Sequence, residues 1–395
     1  LFAGGDDPGV TSDVREPFAA SHAGPGAVTL FLAGDVMLGR GIDQVQRHHS
    51  DPVLFEPHVR SATAYVKLAE RRSGPIPSPV EPSYVWGDAL PELERQRPGA
   101  RIINLETSVT QSGDAWPDKP IHYRMHPLNV ESLVAAHTDC CVLANNHVLD
   151  WGVAGLIETL DVLHAAGIRT AGAGHTGREA IAPAVIPAGG GVRVLVWSFG
   201  AASSGVPPDW SAADNQPGVA FLEDLSQATV RRLAALMGSS KRTGDLVVAS
   251  IHWGGNWGYD LASEEREFAH GLIDQAGVDV VHGHSSHHPR GIEVYRGRLI
   301  LYGCGDLLND YEGIGGYEQF RGDLVLAYFP TVGRADGSLI ELRMTPFRIG
   351  RFRLNRASRS EADWLGEVLS RAGRTLGTRV AVVGGGTLRL EWSRS

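Results

Sequence analysis

Short continuous apolar runs recur along the chain, and most of them end in polar residues of catalytic type. Val28 to Ala33 leads into Gly34-Asp35, Arg101 to Leu105 contains Asn104 and leads into Glu106, and Cys140 to Ala144 leads into Asn145-Asn146-His147. Unbroken apolar runs of this length read as strands buried on both faces rather than as half-exposed alternating strands. Between and after them lie segments of helical period. Trp151 to Ala166 places Leu156, Leu160 and Leu163 on one face and stops at Gly167, and Ser263 to Ala276 opens on a Ser cap and two glutamates and stops at Gly277. Strands alternating with such helices predict α/β layers.

Further strands are predicted at Val194 to Phe199, Leu246 to His252, Val278 to Val281, Gly291 to Tyr295, Leu299 to Tyr302, Leu324 to Phe329 and Leu339 to Thr345. Several follow one another as hairpin partners, so the sheets must be mixed. The stretches Arg71 to Pro82 and Gly200 to Gly218 read as long loops. Three regions follow from this pattern: a Gly/Pro/Ala-rich arm over residues 1–27, one large α/β domain over 28–350, and a C-terminal helix and hairpin over 351–395. The helix is expected to be capped by Ser360 and Asp363, and the hairpin to turn near Gly384 to Gly386.

Composition narrows the classes. A net charge of -9 without a polybasic run argues against nucleic acid or an anionic membrane as partner. Three cysteines, Cys140, Cys141 and Cys304, make no disulfide framework and suit buried thiols in a reducing compartment. With no leader-like pattern and no apolar stretch near the roughly 18 residues of a membrane span, a cytoplasmic protein is expected.

The chemistry concentrates at strand ends. The segment from Val281 to Asp306 sets His282, His284, His287 and His288 directly after a strand, and His252-Trp253-Gly254 follows another. Asn and His beside a core are costly unless their polar groups are paired. Five such pieces after five strands supply carboxylate, amide and imidazole donors, the mixture that divalent cations take.

Taken in order, Gly34 to Arg40 (GDVMLGR), Asn104 to Glu106 (NLE), Asn145 to Gly152 (NNHVLDWG), His252 to Gly254 (HWG) and Gly283 to Asp306 resemble the bacterial capsule-synthesis CapA (poly-gamma-glutamate) family of calcineurin-like metallophosphatases, over about Val28 to Phe329. The resemblance implies a four-layer α/β/β/α sandwich with a metal site at the strand ends. It also implies that Asp35, Glu106, Asn146, His252, His284 and His287 occupy metal-site positions, and that His147 is the histidine that protonates or orients rather than ligates.

Departures from the family pattern shape the functional expectation. The usual Asp-x-His opening is here Asp35-Val36-Met37, and the usual Gly-Asp-x-x-Asp bridge is replaced by Asn104-Leu105-Glu106. A two-metal clamp holds its ions roughly 3.5–4 Å apart, and with ligands for one ion missing, a single metal is expected. An oxygen-rich shell of Asp35, Glu106, Asn146 and water would favour calcium, with manganese, magnesium or zinc as alternatives. Asp306 stands where many family members carry Asn, so it is expected to pair with His287 as Asp150 pairs with His147, leaving His282 and His288 structural.

Two His/Asp pairs flanking one metal suit removal of a proton from one side of a carbon and its return from the other. The sequence is similar to the branch of the family that includes a lasso-peptide epimerase acting on a C-terminal tryptophan. That similarity implies a peptide substrate with a free C-terminal carboxylate. Arg40 is expected to meet the carboxylate, with Trp253 and Trp257 as an aromatic wall. A metal-dependent hydrolase acting on a phosphoester or on polyglutamate, and a non-catalytic binding subunit, are the alternatives.

Overall fold

The computed structural model describes residues 26–393. Residues 1–25 of the expected N-terminal arm lie outside the described residues, and Ala27 is already the first residue of a strand. Two mixed sheets carry the fold. In the ten-stranded sheet, Ala27–Val36 pairs in parallel with Ala100–Leu105, which pairs in parallel with Cys140–Val142. On its other side Ala27–Val36 pairs antiparallel with Leu324–Gly333, followed by Leu339–Ile349. In the seven-stranded sheet, Arg193–Ala201, Leu246–His252, Val280–His284 and Arg298–Leu301 run parallel in that order.

The inner faces of the two sheets meet in one apolar layer that joins Leu30, Leu32 and Ile102 to Val194, Val248 and Val280. The outer face of the ten-stranded sheet, with Phe31 and Ile103, packs on helical residues including Ala69, Leu93, Leu156 and Leu160. That of the seven-stranded sheet, with Val247 and Ile251, packs on Val230, Leu233, Phe268 and Leu272 from the helices Gln227–Gly238 and Ser263–Ala276. The continuous apolar runs are explained by this arrangement, because each central strand is covered on both faces. The result is the expected four-layer α/β/β/α sandwich.

Several boundaries differ from the pattern reading. The first strand does not stop at Ala33 but continues to Val36, with a bulge between Ala33 and Asp35. Gly34 makes this possible, since a Cβ there would lie 1.8 Å from the Gly305 carbonyl oxygen. The C-terminal helix Arg359–Ala372 is capped by a Ser358/Glu361 capping box, not by Ser360 and Asp363. The helix Ser263–Ala276 has Ala262 at its N-cap, without a side-chain cap. The terminal hairpin Thr378–Val382 and Leu388–Trp392 turns at Gly384–Gly386 and extends the large sheet through Leu339–Ile349. All three cysteines are buried free thiols. Among the described residues no helix is long and apolar enough to cross a membrane.

Candidate metal centre with two imidazole–carboxylate pairs

Strand register assembles the site. Asp35 is the partner of Asn104 on one neighbouring strand and of Asp306 on the other, and His252 is the partner of His284 in the second sheet. Asp35, Asn104, His252 and His284 lie at the carboxyl ends of parallel strands, where side chains are held rigidly over a crevice, and Asp306 opens the strand Asp306–Leu308 beside them. The sheets are tied together at this point. His282 Nε2 donates to the Ala33 carbonyl at 2.9 Å, and the Ser285 amide donates to Asp35 Oδ2 at 3.3 Å.

Two groups of donor atoms converge here, each within 4.8 Å of one another: Asp35, His252 and His284, and Asp35, His287 and Asp306. The Ser250 hydroxyl lies 2.8 Å from His284 Nε2, which leaves His284 Nδ1 facing Asp35 Oδ1 at 3.7 Å and His252 Nδ1 at 2.8 Å. A ligating imidazole fixed through its other nitrogen is the usual outer-shell arrangement. Asn146 Oδ1 stands 3.1 Å from His252 Nε2. Glu106 Oε1 is 3.8 Å from both His252 Nε2 and His147 Nε2, and its Oε2 accepts from Asn104 Nδ2 at 3.3 Å.

The electrostatics fit a cation. Asp35, Glu106 and Asp306 are all buried, and burial followed by the neighbouring Asp306 pushes the Asp35 carboxyl up to about 7. Burial, then Asp35, likewise raises Glu106 well above the usual carboxylate range. Burial holds His252 and His284 well below the ordinary imidazole value, and a neutral imidazole is the form that ligates. Carboxylate oxygen and imidazole nitrogen in one dry cluster are a donor set for a divalent ion. One of the two groups carries two imidazoles and one carboxylate, the other one imidazole and two carboxylates.

Both expected imidazole–carboxylate pairs form. His147 Nδ1 donates to Asp150 Oδ2 at 2.6 Å, and His287 Nδ1 donates to Asp306 Oδ1 at 3.0 Å. Asp150 also accepts from the Tyr123 amide at 2.6 Å, and the helix it precedes has no side-chain cap. The environments of the pairs diverge. Burial pushes His147 down to about 4 against the opposing pull of Asp150. Burial also disfavours charge on His287, yet Asp306 and then Asp35 hold it above the ordinary imidazole value. Between the two rings lies a tyrosine pair: Tyr123 is 4.3 Å from His147, Tyr311 is 5.3 Å from His287 (centroid distances), and the two hydroxyls are 2.8 Å apart.

Three substrate contacts expected from the sequence are sorted by the structure. Arg40 is buried and fully engaged, with Nε and Nη2 on Asp310 at 3.1 and 2.5 Å and Nη1 on Glu56 at 2.9 Å, so it has no free fork for a carboxylate. Trp253 is a core residue, 0% exposed, with Nε1 donating to the Tyr302 carbonyl. Trp257 alone sits at the rim, stacked on Tyr317 at 4.1 Å and 5.2 Å from His287. His282 is structural as expected, and so is His288, which accepts from the Gly258 amide and stacks on Phe320.

Lys119 joins the site without any signal in the hydrophobic pattern. Its Nζ binds Asp150 and lies 3.0 Å from His147 Nδ1, and burial lowers its pKa. It comes from an irregular segment without periodicity. The only local signal is the pair of prolines, Pro117 and Pro120, that stiffens the loop around it.

Strand-end carboxylates and imidazoles on this α/β/β/α sandwich form a cluster compatible with a divalent metal ion. Residues 29–311 match the family described as bacterial capsule synthesis protein PGA_cap, and the chain belongs to that family. It is 49% identical over 357 residues, 90% of this chain and 94% of the relative, to a probable polyglutamine synthesis accessory protein of Mycobacterium tuberculosis. It is 26% identical to the PGA biosynthesis protein CapA of Bacillus subtilis, over 75% of this chain and 66% of that one. A phosphatase structure from Mycoplasma pneumoniae aligns over 82% of this chain and 94% of its own, with TM-score 0.41 and 11% identity.

Proposed function

We propose that this chain is a metal-dependent peptide epimerase that moves a proton at the Cα of a substrate's C-terminal residue. The observation that carries the reading is the placement of the His147–Asp150 and His287–Asp306 pairs at the two ends of the Tyr123–Tyr311 pair, beside the Asp35/His252/His284 group. Each carboxylate fixes one tautomer, which leaves His147 Nε2 3.8 Å from Glu106 Oε1 and His287 Nε2 3.1 Å from Asn256 Nδ2, a contact that a bound substrate would displace. His147 Nε2 accepts the Cα proton, and His287 Nε2, protonated, delivers a proton to the opposite face, so the substrate's composition is unchanged and only its configuration inverts. Asp35, His252 and His284 would hold a divalent cation, which would supply positive charge to stabilise the carbanion that loss of the Cα proton creates.

Two imidazole nitrogens per carboxylate suit manganese or zinc better than calcium or magnesium, which take oxygen ligands. The Trp257–Tyr317 stack beside His287 offers a flat apolar face to an aromatic C-terminal side chain such as Trp. Arg40 has no part in this reading. Mixing metal-reconstituted protein with an L-Trp-terminated peptide tests it: a product of unchanged mass with an inverted terminal residue supports epimerisation, and a product of altered mass rejects it.

Hydrolysis of an amide or phosphoester is the second reading, and the Asp35/His287/Asp306 group favours it by offering a place for a second cation. The relatives' names, polyglutamine synthesis and PGA biosynthesis, direct that reading to a polymer of that kind. Two ions per chain and cleavage of oligoglutamate would select it.

A further inference from the structure

On the edge of the large sheet, four arginines converge on a cleft of about 420 Å³ lined by Arg95, Arg343, Arg356, Arg389, Gly385 and Thr387 among others, with no acidic residue in the lining. It shares no residue with the metal centre. The convergence is written into the sheet, because Arg343 and Arg389 are direct register partners on adjacent antiparallel strands. Like charges directly opposite one another are destabilising, and the chain as a whole carries a net charge of -9. Two facing guanidiniums in such a protein call for a function that repays them.

The facing pair, Arg343 and Arg389, is not locked in buried ion pairs. Arg343 holds Glu341, two residues away on its own strand, and Arg389 shares Glu391 with Arg379. The partners in these pairs are 32–73% exposed, so the pairs are weak and exchangeable. Arg95 and Arg356 both rest on the single carboxylate of Glu92. Arg356 also donates to the Gly385 carbonyl and Thr387 Oγ1, which fixes its plane against the turn. Five arginines therefore share three glutamates.

We infer that this cleft is a binding site for a multivalent oxyanion, a ligand with two or more carboxylate or phosphate groups. Guanidinium forks recognise both groups bidentately, and the volume exceeds what a single small anion fills. The inference stands independently of the reaction at the metal centre.

Titration calorimetry at low salt with tricarballylate as polycarboxylate and trimetaphosphate as polyphosphate tests it, with acetate as the single-charge control. Saturable one-to-one binding of at least one of the two is expected, weakened tenfold or more in Arg343→Gln/Arg389→Gln and retained in His147→Ala; whichever binds more tightly names the acid group. Urea unfolding of the double variant checks its fold, and the single variants Arg343→Gln and Arg389→Gln give the same readout should the double variant fail to fold. Absence of binding by both probes, equal binding by acetate, unchanged affinity in the arginine variants, or loss in His147→Ala would each overturn the assignment.

Discussion

Asp35 and Asp306 are register partners on neighbouring parallel strands, which sets two carboxylates side by side in a buried site. The parallel pairing that builds the sheet thus builds the charge of the site. Asp306 is committed to His287 and also accepts from Asn309 Nδ2 at 2.8 Å, whereas Asp35 faces His284. The substitution Asp306→Asn keeps the shape and removes the charge that raises His287 above the ordinary imidazole value. One bound ion per chain should remain by elemental analysis, while turnover falls about 10²–10⁴-fold, the usual worth of a positioned acid or base. Loss of the ion together with activity would instead make Asp306 a ligand.

Lys119 neutralises Asp150 and leaves His147 the partner that shares that carboxylate. Replacing it by Met removes the cation but keeps the buried stem. Turnover should drop on the order of 10–100-fold, the typical effect of losing an outer-shell partner. Metal content should not change. Steady-state rates with substrate saturating separate this from a binding defect, because KM is expected to move little.

Arg40 carries a different expectation from the one its sequence motif suggests. Asp310, 270 residues away, and Glu56 close over it, and removing one partner of a buried ion pair costs about 3–5 kcal/mol. Arg40→Ala should therefore lower the urea midpoint strongly. A variant of normal stability with only a raised KM would restore Arg40 as a substrate contact.

The two tryptophans should separate cleanly. Trp253→Ala empties a core position stacked on Tyr302 and edged by Phe268, for a cost of about 3–5 kcal/mol. Trp257→Ala removes a rim stack, so a smaller stability loss with weaker peptide binding is expected. Melting temperature and peptide affinity, measured together, check both.

What was legible in the sequence was the set of strand ends. Continuous apolar runs closing on Asp35, Asn104, His252 and His284 announce both layers and site, because parallel strands must be buried and their carboxyl ends must face one crevice. The two imidazole–carboxylate pairs were legible as well, since Asp150 follows His147 by three residues and Asp306 closes the histidine segment. Less legible was anything that depends on distant closure. That Asp310 and Glu56 consume every fork of Arg40, or that Lys119 folds from an irregular loop onto Asp150, leaves no local period to read. Trp253 marks a missed inference instead. Successive strand residues point to opposite faces, so the neighbour of a site-facing His252 points into the core.

Deuterium incorporation tests the central claim most directly. Metal-reconstituted protein is incubated in deuterium oxide with L-Trp-terminated and L-Glu-terminated peptides, and the terminal Cα is followed by NMR and mass spectrometry. The account predicts one deuteron at that carbon in at least one of these peptides, appearing with inversion and lost in both His147→Ala and His287→Ala. Cleavage of the peptides, or of an aryl phosphate, with every terminal Cα still protonated would contradict it.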